Sequence, residues 1–364
     1  MFKFLTYLSR SYLTIWLSVV FGFLVLIGLL DSLANGGDLM SSEGGFSSTF
    51  RYMFYRAPVI FDRIFVFTLV VAVLLVFVRL IRNHELVALL GFGFSVPRQI
   101  VLLTPIVATC SLLSITFINY ATPPAVRALQ AWGIGEYKIK KISEDNPLWM
   151  EDGQDIIRAA GRPGMNELSD LQIFERNEKG EITQALWVGW AVFDGNGWVL
   201  KDVDALEVEG ADGERRRASK DENGRRWETI HTPATIARLA ADPRDLSLAD
   251  QRNFSEKGNS GSKPRFSYEF WFWHRLTRPL AALLLLACAV PIMQRTGRQD
   301  NGDKALLAGL AMAFIYLIID GALATFSSTG SLSVLMGVSL PLILLAIISG
   351  FLILRTESLG IKRA

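Results

Sequence analysis

Between Arg10 and Asp31 the chain runs from Ser11 to Leu30 without a charged side chain, and Ile100–Asn119 and Ser331–Leu354 are charge-free in the same way. About 20 apolar residues coiled as a helix cross the hydrocarbon core of a bilayer, where each backbone amide must be satisfied within its own segment. No other feature restricts the fold as strongly. Three more apolar stretches carry ionisable residues only near their ends: a helix from Pro58 to Val78 with Asp62 and Arg63 near its start, Phe270–Met293 with Arg275 and Arg278, and Ala305–Ile319 continuing past Asp320 to Thr325. Pro58 suits the first turn of its helix, and Asp31–Tyr55, with Gly36–Gly37 and Gly44–Gly45, reads as the loop before it. Ser11–Leu30 is longer than the apolar core of a signal peptide and lacks a following A-x-A site, which predicts an uncleaved helix.

Six spans leave much of the chain unexplained. With 51% hydrophobic and 20% charged residues, the composition requires a polar region besides the membrane helices. That region is 121–268, between spans at 1–120 and 269–364. Short β-type runs at Tyr137–Ile142, Asp155–Ala160, Leu171–Arg176, Ile182–Phe193 and Trp198–Val203 are separated by turn signals such as Asn177–Gly180 and Asp194–Gly197. The pattern predicts an inserted all-β domain of sandwich or jelly-roll type, with helical pieces at Pro123–Trp132 and Asp245–Arg252 and a linker at Gly258–Pro264. Such a sheet can offer an apolar groove and a free edge. Cys110 and Cys288 lie in apolar runs, so neither a disulfide framework nor a metal site is indicated.

Lys3, Arg10, Arg79, Arg82, Arg98, Arg295, Arg298, Lys304, Arg355, Lys362 and Arg363 fall on the side of the N-terminus, against Glu85, Asp300, Asp303 and Glu357. By the positive-inside rule both termini are cytoplasmic and the β domain lies outside. The loop Arg79–Arg98 on the inner side holds a short helix, 83–91, with Asn83 as N-cap, Glu85 in its first turn and Gly91 at C′. Leu86, Leu89 and Leu90 share one face of it, and a helix this short must lay that face on lipid or in a groove of a partner.

The chemistry of enzymes is hard to place here. There is no G-x-x-x-x-G-K-(S/T), H-E-x-x-H or G-x-S-x-G sequence, and His84, His231 and His274 are spread over different regions. Arg215–Arg217 with Arg225 and Arg226 reads as a solvated hairpin among Asp212, Glu214, Asp221 and Glu222. At membrane depth Arg275, Arg278, Asp320 and Arg63 either snorkel and mark span ends or border a cavity for an anionic lipid, with Arg51 and Arg56 as further outer-side cations. Trp187, Trp190, Trp198 and Trp227 are strand aromatics that either fill the core or stack on sugars.

The segment HELVALLGFGFS resembles the (S/N)ELVAL-x-x-x-G-(V/I/F)-S stretch of the LptF/LptG family, permeases of the ABC transporter that exports bacterial lipopolysaccharide. Glu85, Leu86, Val87, Ala88, Leu89, Gly93 and Ser95 match it, while His84 and Leu90 depart. Glu269–Pro279 (EFWFWHRLTRP) is similar to an acidic–aromatic run leading to a basic residue four before a proline, which places Arg275. DLSLADQ near Asp245 resembles the close of the family's periplasmic domain, and LWMEDGQDIIRAA (Leu148–Ala160) the LW-x-x-D-G strand pair more typical of LptG. Span one lacks the lysines that some members carry there.

The resemblance implies a membrane α-helical protein with an inserted, jelly-roll-like periplasmic β domain in the bacterial inner membrane. It implies an LptB-like ATPase dimer, a second, LptF-like permease, LptC/LptA-like periplasmic jelly-roll proteins and lipopolysaccharide as partners. ATP and Mg would sit on the ATPase; this chain would hold no cofactor, metal or nucleic acid. ATPase coupling would fall to Glu85, Leu86, Val87, Ala88, Leu89, Leu90 and Gly91, and substrate contact to Arg275, Arg278, Arg63, Arg56, Arg51 and Asp320. A membrane-anchored sensor or assembly factor that transports nothing is the alternative from another class.

Overall fold

A computed structural model describes residues 2–40, 46–91, 93–134, 137, 142–144, 147–164, 166–208, 215–221, 224–257, 263–296 and 302–361. The chain forms two compact units, one of Met1–Ala34, Arg56–Thr122 and Phe270–Ala364, the other of Asn35–Tyr55 and Pro123–Glu269. Among the described residues six helices are long and apolar enough to cross a membrane. They are α1 (Phe2–Ala34), α3 (Phe46–Arg82), α5 (Val96–Trp132), α8 (Arg265–Thr296), α9 (Asp303–Ser328) and α10 (Val334–Ile361). Two short helices, α2 (Gly36–Met40) and α4 (Glu85–Gly91), lie between the early spans.

Packing ranks the spans. The apolar window of α3 is 78% buried and that of α1 only 11%, so α3 is the hub and α1 leaves most of its side for lipid or a partner. Tyr12 donates its hydroxyl to the Leu69 carbonyl (3.2 Å) and Trp16 its indole N–H to Thr68 Oγ1 (3.2 Å), which fixes α1 on α3 through groups that would be costly to leave unpaired in lipid. On the other flank Gly309 of α9 meets Leu74 of α3 so closely that a Cβ would overlap its side chain. Small residues permit this approach where lipid removes the hydrophobic drive between helices.

Helix boundaries differ from the sequence reading between α1 and α3. Most of the expected Asp31–Tyr55 loop is helical, and α3 begins at Phe46, so Pro58 lies inside the helix rather than in its first turn. Pro279, Pro291 and Pro341 are likewise internal. Membrane helices accept proline because neighbouring helices re-satisfy the freed carbonyls. Gly44–Gly45, Arg298, Asp300, Lys362, Arg363 and most of the expected linker fall outside the described residues.

Among the described residues the second unit holds a seven-stranded antiparallel sheet of β1 (Leu148–Asp152), β2 (Asp155–Gly164), β3 (Glu167–Arg176), β4 (Ile182–Phe193), β5 (Trp198–Val208), β6 (Arg215–Asp221) and β7 (Arg226–Trp227). Strands β1 to β6 follow one another in space, and β7 pairs with β5. This is a meander, in which each hairpin needs only a local turn. Its second layer is helical: α6 (Pro233–Leu239) and α7 (Leu248–Lys257) contribute Ile236, Leu239 and Phe254 to one core with Leu171, Leu186, Val188, Ala191, Trp198 and Leu200. The inward residues Leu186, Val188 and Ala191 of β4 belong to this core. Thr232 caps α6 from the T-P pair that starts it, a signal the strand-centred reading passed over. The Arg215–Arg217 run lies in strand β6, antiparallel to β5, while Asp212, Glu214, Glu222 and Asn223 lie outside the described residues. Of the expected strand Tyr137–Ile142, residues 138–141 lie outside them too, and Tyr137 itself is helical.

A crease crosses the middle of the sheet. Asp170 in β3 and Asp202 in β5 both adopt left-handed backbone (φ 51 and 57), and the register places each opposite Gly189 of β4. Inward residues switch parity there, from Leu186 and Val188 to Ala191 in β4 and from Leu200 to Val203 in β5. The residues flanking each left-handed position, Ser169 and Leu171 in β3 and Lys201 and Val203 in β5, fall on opposite faces instead of one, so the alternation slips by one and the core stays on one side of the bent sheet.

Candidate coupling and substrate sites

The turn between α3 and α5 is built from its ends inward. His84, not Asn83, occupies the capping position of α4: its backbone is left-handed (φ 58), and its carbonyl accepts from Ala88 N (3.4 Å). Asn83 instead donates its side-chain amide to Glu85 Oε1 (3.3 Å). At the other end Gly91 is helical, and Gly93 takes the left-handed C′ role (φ 76). Gly93 N donates to the Leu90 carbonyl (3.0 Å) and Phe94 N to the Leu89 carbonyl (3.1 Å), the paired bonds of a Schellman stop. The stop is thus made by Gly93, two residues beyond Gly91.

This turn is tied to four spans. Tyr7 of α1 donates to Glu85 Oε1 (3.2 Å), while Arg79 lies over the Tyr7 ring (5.9 Å) and donates to Ser11 Oγ (3.2 Å). Arg82 pairs with Asp303 at the start of α9 (3.0 Å), an exposed contact of small energetic value that nonetheless marks proximity. Arg98 donates to the Gly93 carbonyl (3.1 Å). The tightest link is buried: Gln294, near the end of α8, donates to Gln99 Oε1 (2.6 Å), and Gln99 donates to the Phe94 carbonyl (2.9 Å). A chain of amides thus runs from α8 through α5 to the stop of α4.

The burial of α4 assigns its faces. Leu86 and Leu89 are buried against the chain itself and Leu90 half so, whereas Val87 is 67% exposed and Ala88 and Gly91 are open with it. The apolar face already has its partner, and what the helix shows outward is a small-residue ridge edged by Glu85. Of the expected coupling residues, Val87, Ala88 and Gly91 can touch another protein directly, while Leu86 and Leu89 seat the helix.

Several ionisable groups inside the spans meet a partner from a neighbouring span. Arg278 of α8 donates to Asp62 Oδ1 (2.5 Å) and to its carbonyl (3.1 Å), with side chains 7% and 2% exposed, and its guanidinium stacks on Phe65 (5.3 Å). Arg56 pairs with Asp31 (2.6 Å), and His274 Nε2 reaches both Asp320 oxygens (3.1 Å each) with the Tyr316 hydroxyl on one of them (3.4 Å). His274 also stacks on Phe270 (centroids 5.2 Å apart). The two Arg–Asp pairs persist because each charge compensates the other's desolvation. Arg275 is buried and Arg63 exposed, while Arg51, in the other unit, lies over Trp132 (4.8 Å) and Tyr55 (5.7 Å). Asp320 is well inside α9, eight residues before its end at Ser328. The structure therefore brings Arg278 and Arg56 into ion pairs with Asp62 and Asp31, and Asp320 into hydrogen-bonding contact with His274, partners that were not assigned roles by sequence reasoning. An acid and a base each at membrane depth in neighbouring spans was the available signal.

A bundle of apolar helices with a clamped turn between α3 and α5 has a match among known proteins: residues 6–355 match the family described as lipopolysaccharide export system permease LptF/LptG. The chain belongs to that family. It is similar to the lipopolysaccharide export system permease protein LptG of Escherichia coli strain K12, 20% identical over 279 residues that cover 76% of this chain and 77% of that protein. The protein of the same name from Escherichia coli O6:H1 strain CFT073 matches with the same figures. This LptF/LptG member is a multi-pass membrane protein in which the ELVAL segment is α4 and the EFWFWHRLTRP segment is the start of α8. Its LW-x-x-D-G segment is the β1–β2 hairpin, turned on Gly153 (φ 63), and DLSLADQ passes from a 3-10 turn into α7.

Proposed function

We propose that this chain is the LptG-type permease of an ABC transporter, with α4 as the helix that receives the stroke of a separate ATPase. The carrying observation is the exposed Val87–Ala88–Gly91 ridge on a turn clamped to four spans. The relatives named LptG and the LW-x-x-D-G hairpin support the LptG side of the family. Arg79, Arg82 and Arg98 gather at this end, which by the positive-inside rule is cytoplasmic, leaving the β unit periplasmic.

The pairing of residues gives the stroke a route. When ATP, with its Mg, closes the ATPase dimer, the ridge is pushed, and the Phe94–Gln99–Gln294 amides carry the displacement to α8. Helix α8 holds Arg275 and Arg278 farther along, so its shift loads the Arg278–Asp62 pair and, through His274, the Asp320 pair on α9. A second, LptF-like permease completes the cavity, into which α1 presents its uncovered side. Arg275 meets a phosphate of lipopolysaccharide there, since a guanidinium makes charge-assisted forked bonds that ammonium does not. The lipid then leaves outward toward LptC/LptA-like jelly-roll proteins. Purification of the tagged chain from its native membrane tests the reading: an ATPase and a second six-span permease should accompany it, and lipopolysaccharide should stimulate hydrolysis. Isolation of the chain alone, with no stimulation after reconstitution, would overturn it.

A further inference from the structure

The transport route leaves unused the sheet face opposite the core. Trp149 on β1 and Trp187 and Trp190 on β4 are 42%, 40% and 48% exposed, whereas Trp198 is buried. Strand register arranges them. Trp149 stands opposite Arg158, Arg158 opposite Gln172, Gln172 opposite Trp187 and Trp187 opposite Asp204, one row across the sheet. Ser169, Trp190 and Lys201 form a second row. The crease lies between them and puts both β4 rings on the same side although their numbers differ by an odd count. There the floor is bare: Gly189 has no side chain, and the Asp202 carboxylate leans over it, 3.0 Å from where a Cβ would stand. Asp170 flanks the opposite edge, 3.9 Å from Arg158. By strand spacing the rings of β1 and β4 stand about 14 Å apart, and those of residues 187 and 190 about 10 Å.

Three occupants compete for exposed tryptophans. A protein partner buries a continuous apolar centre, and here each ring is separated from the next by hydrogen-bonding groups. An anionic bilayer surface attracts cations, and here Asp170, Asp202 and Asp204 stand against Arg158 and Lys201. A chain of sugar rings offers flat C–H faces alternating with hydroxyls, which matches flat indoles alternating with carboxylate, amide and guanidinium. We infer that this face binds the sugar rings of a saccharide chain. Trp187 and Trp190 stack on ring faces, while Asp202 and Asp170 accept from hydroxyls over the Gly189 gap. Gln172 and Lys201 hold the flanking oxygens. The inference rests on the permease reading for the source of the saccharide, the carbohydrate portion of the exported lipid.

The test uses full-length protein in detergent, titrated calorimetrically with the core oligosaccharide released from lipopolysaccharide by mild acid, which has no acyl chains. Wild type should bind, and Trp187→Ala with Trp190→Ala should weaken binding at least about fivefold, the loss of two stacked aromatic contacts. Asp202→Asn, which keeps both rings, should weaken it less. Because the rings are exposed, the double variant should retain wild-type melting. No binding by wild type, or equal binding by the double variant, overturns the inference. So does loss, in that variant, of retention on phosphatidylglycerol vesicles with saccharide binding intact, which would make the face a membrane contact. If lipopolysaccharide still stimulates the ATPase of the assembled transporter in those cases, only this inference falls; if stimulation is absent in wild type, the permease reading falls with it.

Discussion

Replacing Gln294 by leucine separates a structural amide pair from a transmitting one. The variant removes the donor to Gln99 Oε1, leaving that oxygen buried without its 2.6 Å partner. Interhelical hydrogen bonds in membrane proteins average about 0.6 kcal/mol and reach about 1.7 kcal/mol. A buried acceptor left unsatisfied costs about 1–3 kcal/mol. The single variant should therefore lose about 1–2 kcal/mol, and Gln99→Leu a similar amount. The double variant Gln99→Leu/Gln294→Leu strands neither side-chain amide and should be no worse than Gln99→Leu alone, a coupling detectable in a double-mutant cycle. Function should not recover in parallel. With no polar link from the Phe94 stop to α8, the double variant should hydrolyse ATP at near wild-type rate and export less lipid per ATP. Melting of the reconstituted complex, ATPase rate and lipid release should be measured on the same preparation. Full transport per ATP in a stable double variant would refute the relay, and additive destabilisation would refute the pair itself.

Removing Asp62 from beneath Arg278 should be far more damaging than any exposed substitution: Asp62→Ala should cost about 3–5 kcal/mol and reduce the amount of folded protein in the membrane, whereas Arg82→Ala at the exposed Asp303 pair should cost less than about 1 kcal/mol. At position 275, lysine keeps charge and alanine loses it, so phosphate recognition predicts lipopolysaccharide crosslinking in the order wild type, lysine, alanine at equal expression; equal crosslinking contradicts it. Asp194 accepts from Asn196 N and Gly197 N (2.9 Å each), and those bonds, with Arg226 nearby, hold its carboxyl below the usual range. Because the folded value is the lower one, the turn's contribution is complete above the ordinary carboxylate pKa of about 3.9 and fades as pH falls through the folded value. Carbon-13 titration of aspartate-labelled protein should give Asp194 a midpoint below the ordinary value, and a normal midpoint would mean the turn is not formed.

The spans were legible because length and absence of charge are one-dimensional facts: Ser11–Leu30 must cross lipid whatever packs beside it. Strand β4 was legible to the residue, as Ile182–Phe193 lies between two turn signals. Pairing was not. Nothing local tells Asp62 that Arg278 will stand beside it, and the arginines looked like free cations for that reason. The crease was hidden as well, since Asp170 and Asp202 are ordinary turn-formers in sequence and act together only through the register that sets them opposite Gly189. In α4 the apolar spacing of Leu86, Leu89 and Leu90 was correct, but periodicity cannot say whether an apolar face meets its own chain or another. Burial against the chain itself reversed which residues face outward.

Site-specific photocrosslinking along α4 in living cells tests the central claim most directly. A photoreactive residue at Val87 or Ala88 should capture the ATPase in high yield, and one at Leu86 or Leu89 should capture only this chain, because those positions are covered. Capture of the ATPase from Leu89 as readily as from Val87, or of lipid alone from Val87 in an exporting cell, would contradict the account.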